Sequence, residues 1–175
     1  PEKQFRALSD WVQSHGGDPS LIAPVKGDLT KKKLGMSEAD YASLSEIKTI
    51  YHLGGAFSWG LKYEKARHVN VLPIEELISL AENSSHFLRF VNVSGFMMCN
   101  EKRNTKIGLN NAENWKPGQW KKFSKKHGVY ETTKYEAHYL MKKRFKEKDL
   151  PYTIIHPAAV VGASDTGEII AQHEG

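Results

Sequence analysis

The chain has 175 residues, 39% hydrophobic and 26% charged, the balance of an ordinary globular domain with room for one sizeable core. No apolar run approaches the roughly 18 residues that a membrane span needs, and the single cysteine, Cys99, excludes an intrachain disulfide and a thiolate zinc cluster, so no membrane association and a reducing, cytoplasmic setting are expected. The net charge of +5 is dispersed over "TKKK" (30–33), "KKFSKK" (121–126) and "KKRFKEK" (142–148); it reads as solvated surface, with a nucleic-acid patch or a site for an anionic ligand as the weaker alternatives.

Residues 2–15 carry Phe5, Leu8, Trp11 and Val12 at helical spacing, and "HGGD" stops the run. "LIAPVKGDL" (21–29) reads as a short strand broken by Pro24. Ser37 precedes a helix, with Asp40 three residues later echoing a capping box. "KTIYHLGG" (48–55) is a short apolar strand closing on two glycines. A helix follows over about 63–83, kinked or divided at Pro73. "HFLRFVNVSG" (86–95) is the next strand, and residues 99–128, rich in Asn, Lys and Gly, read as a long loop, of a size that is usually functional or disordered. A helix from about 130 to 148 and the strand "YTIIHP" (152–157) complete the series.

Helices alternating with short apolar strands predict parallel βαβ units in an α/β sheet. In such sheets ligands bind beyond the carboxyl ends of the strands, which directs attention to Asp28, "HLGG", "VSG" and "HPAAVVG".

On the last long helix Tyr130, Lys134, Ala137 and Met141 fall in one row, so Lys134 shares the side that Ala137 and Met141 should bury. One reading is a lysine whose stem packs while its ammonium reaches water. The other is chemical. A phenol with a pKa of about 10 is a poor acid or base at neutral pH, and a neighbouring ammonium brings it toward the working range. Such a phenol could protonate a carbonyl oxygen as hydride arrives at its carbon, with a hydroxyl holding the carbonyl in place. Ser94, at the end of an apolar strand, is the candidate hydroxyl, against the plainer reading that it merely ends that strand.

Six stretches in order, "VKGDL" (25–29), "YHLGG" (51–55), "VNV" (69–71), "VNVSG" (91–95), "YETTK" (130–134) and "HPAAVVGASDTGE" (156–168), resemble the extended short-chain dehydrogenase/reductase superfamily. Among its branches the chain most resembles the thioester reductases and fatty acyl-CoA reductases. The resemblance implies a Rossmann-like, doubly wound parallel sheet, NAD or NADP as cofactor, and a small carbonyl or acyl substrate. It also implies Tyr130 as catalytic acid/base, Lys134 as the group that lowers its pKa and bonds the nicotinamide ribose, and Ser94 as the holder of the carbonyl. Asp28 and the adjoining Leu29 would meet the adenine; His52, Leu53, Gly54 and Gly55 would lie against the dinucleotide. Asn70 would support the site from its helix, and His156 and Pro157 would stand beside the nicotinamide. Two glycines at 54 and 55 depart from the family's usual H-x-A-A, either loosening this wall or allowing closer approach of the cofactor. By analogy a homodimer is expected.

The family's glycine-rich phosphate loop, G-x-x-G-x-x-G, has no counterpart in the sequence. Residues 1–175 are therefore expected to be a partial NAD(P)-binding domain, incomplete at its N-terminus and without the C-terminal substrate-binding part. Two other functions compete with the reductase: a nucleotide-sugar epimerase or dehydratase of the same fold, and a non-catalytic scaffold retaining it. Metal chemistry finds no support in the scattered histidines.

Overall fold

A computed structural model of the chain describes residues 2–56, 60–158 and 165–167. Its centre is a three-stranded parallel sheet in the order β1-β2-β3, formed by β1 (Thr49–His52), β2 (Arg89–Val93) and β3 (Tyr152–Ile155). The register pairs His52 with Asn92 and Val93 with Ile155, so the three carboxyl ends lie side by side along one edge. This is the parallel α/β arrangement that the alternation of elements predicts, and it is consistent with the Rossmann-like fold that the family resemblance implies.

Parallel neighbours require crossovers. The first runs through α3 (Tyr63–Asn70) and α4 (Pro73–Glu82), and the second through α5 (Glu101–Lys106), α6 (Pro117–His127) and α7 (Val129–Glu147). Pro73 divides the expected 63–83 helix by opening α4 at its first turn, where a missing N–H costs nothing. Ile50 and Phe90 on one face of the sheet join Ile74, Ile78, Ala137, Met141 and Phe145 in the main core. Phe145 and Met141 are fully buried, so the row that also carries Lys134 does face inward.

At the N-terminus α1 (Glu2–Ser14) ends as expected, though none of its residues is buried. Ser37 caps α2 (Glu38–Ser43) by accepting the Asp40 N–H at 3.1 Å.

Two expectations fail. Residues 21–29 form no strand: the Ile22 N–H turns back to the Pro19 carbonyl, Pro24 has no N–H, and the Asp28 N–H goes to the Leu34 carbonyl at 2.6 Å. Local turns consume the donors that a ladder would use. Lys33, Leu34 and Gly35 then run left-handed, which turns Leu34 into the core.

Nor is 99–128 a loop. Asn100 caps α5 through the Arg103 N–H at 2.9 Å, and the Gln119 side chain accepts the Lys116 N–H at the start of α6. What holds these polar segments down is aromatic. Trp120, Phe123 and Tyr135 build a second core with Tyr63, Met98 and Leu109, and Trp115 packs on Trp120 at 4.8 Å between ring centroids. Gly128, at φ +83°, joins α6 to α7 in a conformation that a side chain would resist.

Candidate active site at the strand ends

Lys134 is the centre of the site. Its Nζ lies 3.5 Å from the Val93 carbonyl, the last residue of β2, and among the described residues that is its one acceptor. Burial pushes the ammonium below the usual lysine range. Ser94 follows immediately, buried, with its N–H bonded to the Ile155 carbonyl at 2.9 Å, so β2 and β3 hold it in place. Tyr130 stands half-buried one turn before Lys134 on α7. The structure thus brings Ser94 and Lys134 to one strand end, with Tyr130 on the helix above it.

Asn70, at the last turn of α3, is buried and uses both ends of its amide. Its Oδ1 accepts the Ala56 N–H at 2.7 Å, while its Nδ2 donates to the Ala56 carbonyl at 3.2 Å and to Thr133 Oγ1 at 3.0 Å. Thr133 in turn donates to the Tyr130 carbonyl at 3.0 Å. Residue type alone did not mark Thr133 or Ala56 as part of this network; the threonine sits between Tyr130 and Lys134, facing α3.

The glycines of "HLGG" make room for the protein's own side chains. A Cβ on Gly54 would stand 2.8 Å from Leu29 Cδ1, and one on Gly55 would stand 3.3 Å from Asn70 Oδ1 and 3.8 Å from Lys134 Nζ. Leu53 is largely exposed at the same loop. His52, by contrast, turns its ring into the core beside Phe90, where burial and then the Lys134 charge hold its pKa down to about 4.

Asp28 binds locally. Its Oδ1 accepts from the Thr30 N–H and hydroxyl at 2.9 and 2.7 Å, which lowers its pKa, with Lys31 at 3.6 Å. Leu29 packs against the main core. His156 Nδ1 lies 3.0 Å from the Gly95 carbonyl, just beyond Ser94, and Pro157 beside it is half-buried. Most of "HPAAVVGASDTGE" lies outside the described residues.

These residues form one edge of a site suited to a ribose and a carbonyl. The Lys134 ammonium has donors to spare, the Gly55 backbone approaches without a side chain, Ser94 follows the Val93 carbonyl that Lys134 meets, and Tyr130 lies one helical turn away. Against known proteins, the family model described as male sterility protein, an NAD-binding family, matches residues 4–174. The chain belongs to this family. It stands in the thioester-reductase-like branch of the extended short-chain dehydrogenase/reductases.

Among curated relatives, L-2-aminoadipate reductase of Saccharomyces cerevisiae is 30% identical over 156 residues, 85% of this chain and 11% of that protein. A nonribosomal peptide synthetase of Malbranchea aurantiaca is 27% identical over 149 residues, 81% of this chain and 6% of that protein. The terminal R domain of the myxalamid PKS-NRPS pathway superimposes with a TM-score of 0.59 at 27% identity, covering 82% of this chain and 35% of that one. The PhqB reductase domain from Penicillium fellutanum gives 0.56 at 18% identity, covering 82% of this chain and 33% of that one, and speaks for the fold. The chain thus spans about a tenth or less of these curated relatives and about a third of the solved domains.

Proposed function

We propose that this chain carries the catalytic edge of an NAD(P)-dependent reductase that delivers hydride to the carbonyl of an aldehyde or acyl thioester. The observation that supports it best is the half-buried Lys134 ammonium, one turn from Tyr130 and 3.5 Å from the Val93 carbonyl beside Ser94. A half-buried ammonium with so little protein compensation carries part of a buried charge's desolvation cost unless something else is bonded to it. The hydroxyls of a nicotinamide ribose would be that partner. A reduced nicotinamide bound there supplies the hydride.

The chain's own residues do the rest. Ser94 donates to the substrate carbonyl oxygen and fixes its direction. Tyr130 gives that oxygen a proton as its carbon is reduced, and Lys134 favours the phenolate left behind. Asn70, through Ala56 and Thr133, holds the loop and the helix at the spacing this requires. The names of the relatives, an aminoadipate reductase and R domains of peptide and polyketide assembly lines, favour reduction over epimerisation.

Tyr130→Phe is the test. Assayed in the full-length gene product with NADPH and NADH against aldehydes and acyl thioesters, it should lower kcat by at least a thousandfold while circular dichroism stays unchanged. Wild-type turnover in that variant would refute the assignment.

A further inference from the structure

The functional reading leaves a buried charge unused. Glu136 on α7 is 4% exposed, yet both of its carboxylate oxygens are engaged by α3. Oε1 accepts from Arg67 Nε at 2.6 Å and Oε2 from the Tyr63 hydroxyl at 2.7 Å. Burial and the adjacent carboxylate push the Tyr63 phenol up, so it stays a donor.

Tyr63, Arg67 and Asn70 lie at i, i+4 and i+7 on α3, one continuous face. Opposite them on α7, Glu136 and Thr133 lie three residues apart, also on one face. The two helices meet antiparallel through two polar links, Tyr63/Arg67 with Glu136 and Asn70 with Thr133. A slip of one turn, about 5.4 Å, would break both. Apolar contacts between helices tolerate small sliding, whereas a carboxylate held from two sides accepts one register. A buried ion pair contributes little net stability relative to an apolar substitute, and setting a register is its better-attested use.

We propose that Glu136 is a positioning residue: by fixing α3 against α7 it sets where Asn70 stands, and through Asn70 it holds the backbone of the 52–56 loop at the strand ends. Asn70 is the only described side chain bonded to both backbone groups of Ala56. Displacing α3 therefore moves the amide that fastens this loop. That the fastening serves cofactor binding rests on the functional reading above; the fastening itself does not.

Amide hydrogen exchange at Ala56, whose N–H donates to Asn70, reads the link directly and without activity. Glu136→Ala should speed exchange at least tenfold, Asn70→Ala should do the same, and the double variant should add nothing to Asn70→Ala. Glu136→Gln keeps an oxygen for Arg67 or Tyr63 and should stay within threefold of wild type. Ile78→Ala, a core truncation on α4, reports general loosening and should leave Ala56 behind. Unchanged exchange in Glu136→Ala, or an equal rise in Ile78→Ala, would overturn the proposal. In the full-length protein Glu136→Ala should raise KM for the dinucleotide at least fivefold with kcat within threefold. Faster exchange with an unaltered KM would count against the loop as a cofactor wall, and so against the functional reading, while the clamp itself would stand.

Discussion

His138 is buried on α7, and its Nδ1 has no hydrogen-bond partner among the described residues. Burial, with the Lys142 charge and the His156 ring as neighbours, holds its pKa down to about 4; His52, buried with the Lys134 charge nearby, is held there too. For both, the folded pKa lies below the ordinary value of 6.5. The unfolded chain therefore binds more protons between about 6.5 and 4, and folded-state stability falls as pH drops through that window. Each residue accounts for a loss on the order of 3 kcal/mol. Carboxylates such as Asp28, with pKa values lowered by their own bonds, act only at more acid pH. His138→Leu removes both the unpartnered nitrogen and one titration. Urea denaturation between pH 7 and 4.5 should show it no less stable than wild type at pH 7, with roughly half the acid dependence in the window. Parallel pH profiles for the two proteins would mean that His138 takes no part.

At the level of the elements, α5 and α6 show what pattern-reading misses. Neither has a long apolar stripe, so composition pointed to a loop, yet one indole anchors the region: Trp120 is buried among Phe123, Trp115 and Tyr139. Truncation to alanine leaves a large cavity, so Trp120→Ala should lower the unfolding free energy by roughly 3–5 kcal/mol. Asn100→Ala, which removes a single cap, should cost about 1 kcal/mol; both follow from denaturant titration. A Trp120→Ala loss below the cap's would mean that α6 is not part of the cooperative unit. The three strands were readable because each is a compact apolar run, and α7 because its row of Ala137 and Met141 continues from Lys134. Residues 21–29 also look apolar, but an extended segment becomes a strand only with a ladder beside it, and that depends on the rest of the sheet. Likewise Ser94, Tyr130 and Lys134 were visible as residue types in order, whereas Thr133 and Glu136 gain meaning only once α3 is laid against α7.

For the whole molecule the question is how much of a dinucleotide site one edge can make. The carboxyl ends of β1, β2 and β3 place the "HLGG" loop, Ser94 and His156 along one edge, and Lys134 reaches in from α7. On the proposed reading these groups serve the nicotinamide end. A pyrophosphate is usually held by backbone N–H groups of a glycine-rich turn at a helix N-terminus, and the sequence contains no G-x-x-G-x-x-G run to form one. Affinity from hydroxyl contacts alone should therefore be poor. NADPH and then NADH can be titrated into the 175-residue chain and into a fusion that places a glycine-rich βα unit ahead of it, using energy transfer from the tryptophans. The fusion should bind at least a hundredfold more tightly, and Lys134→Met within it should weaken binding at least tenfold. Equal affinity for the two proteins would mean that residues of this chain cradle the pyrophosphate after all. No binding by either, with both folded, would leave Tyr130 and Lys134 without a cofactor to serve and favour a scaffold. Tight binding that ignores Lys134→Met would keep the dinucleotide but place its ribose elsewhere than on α7.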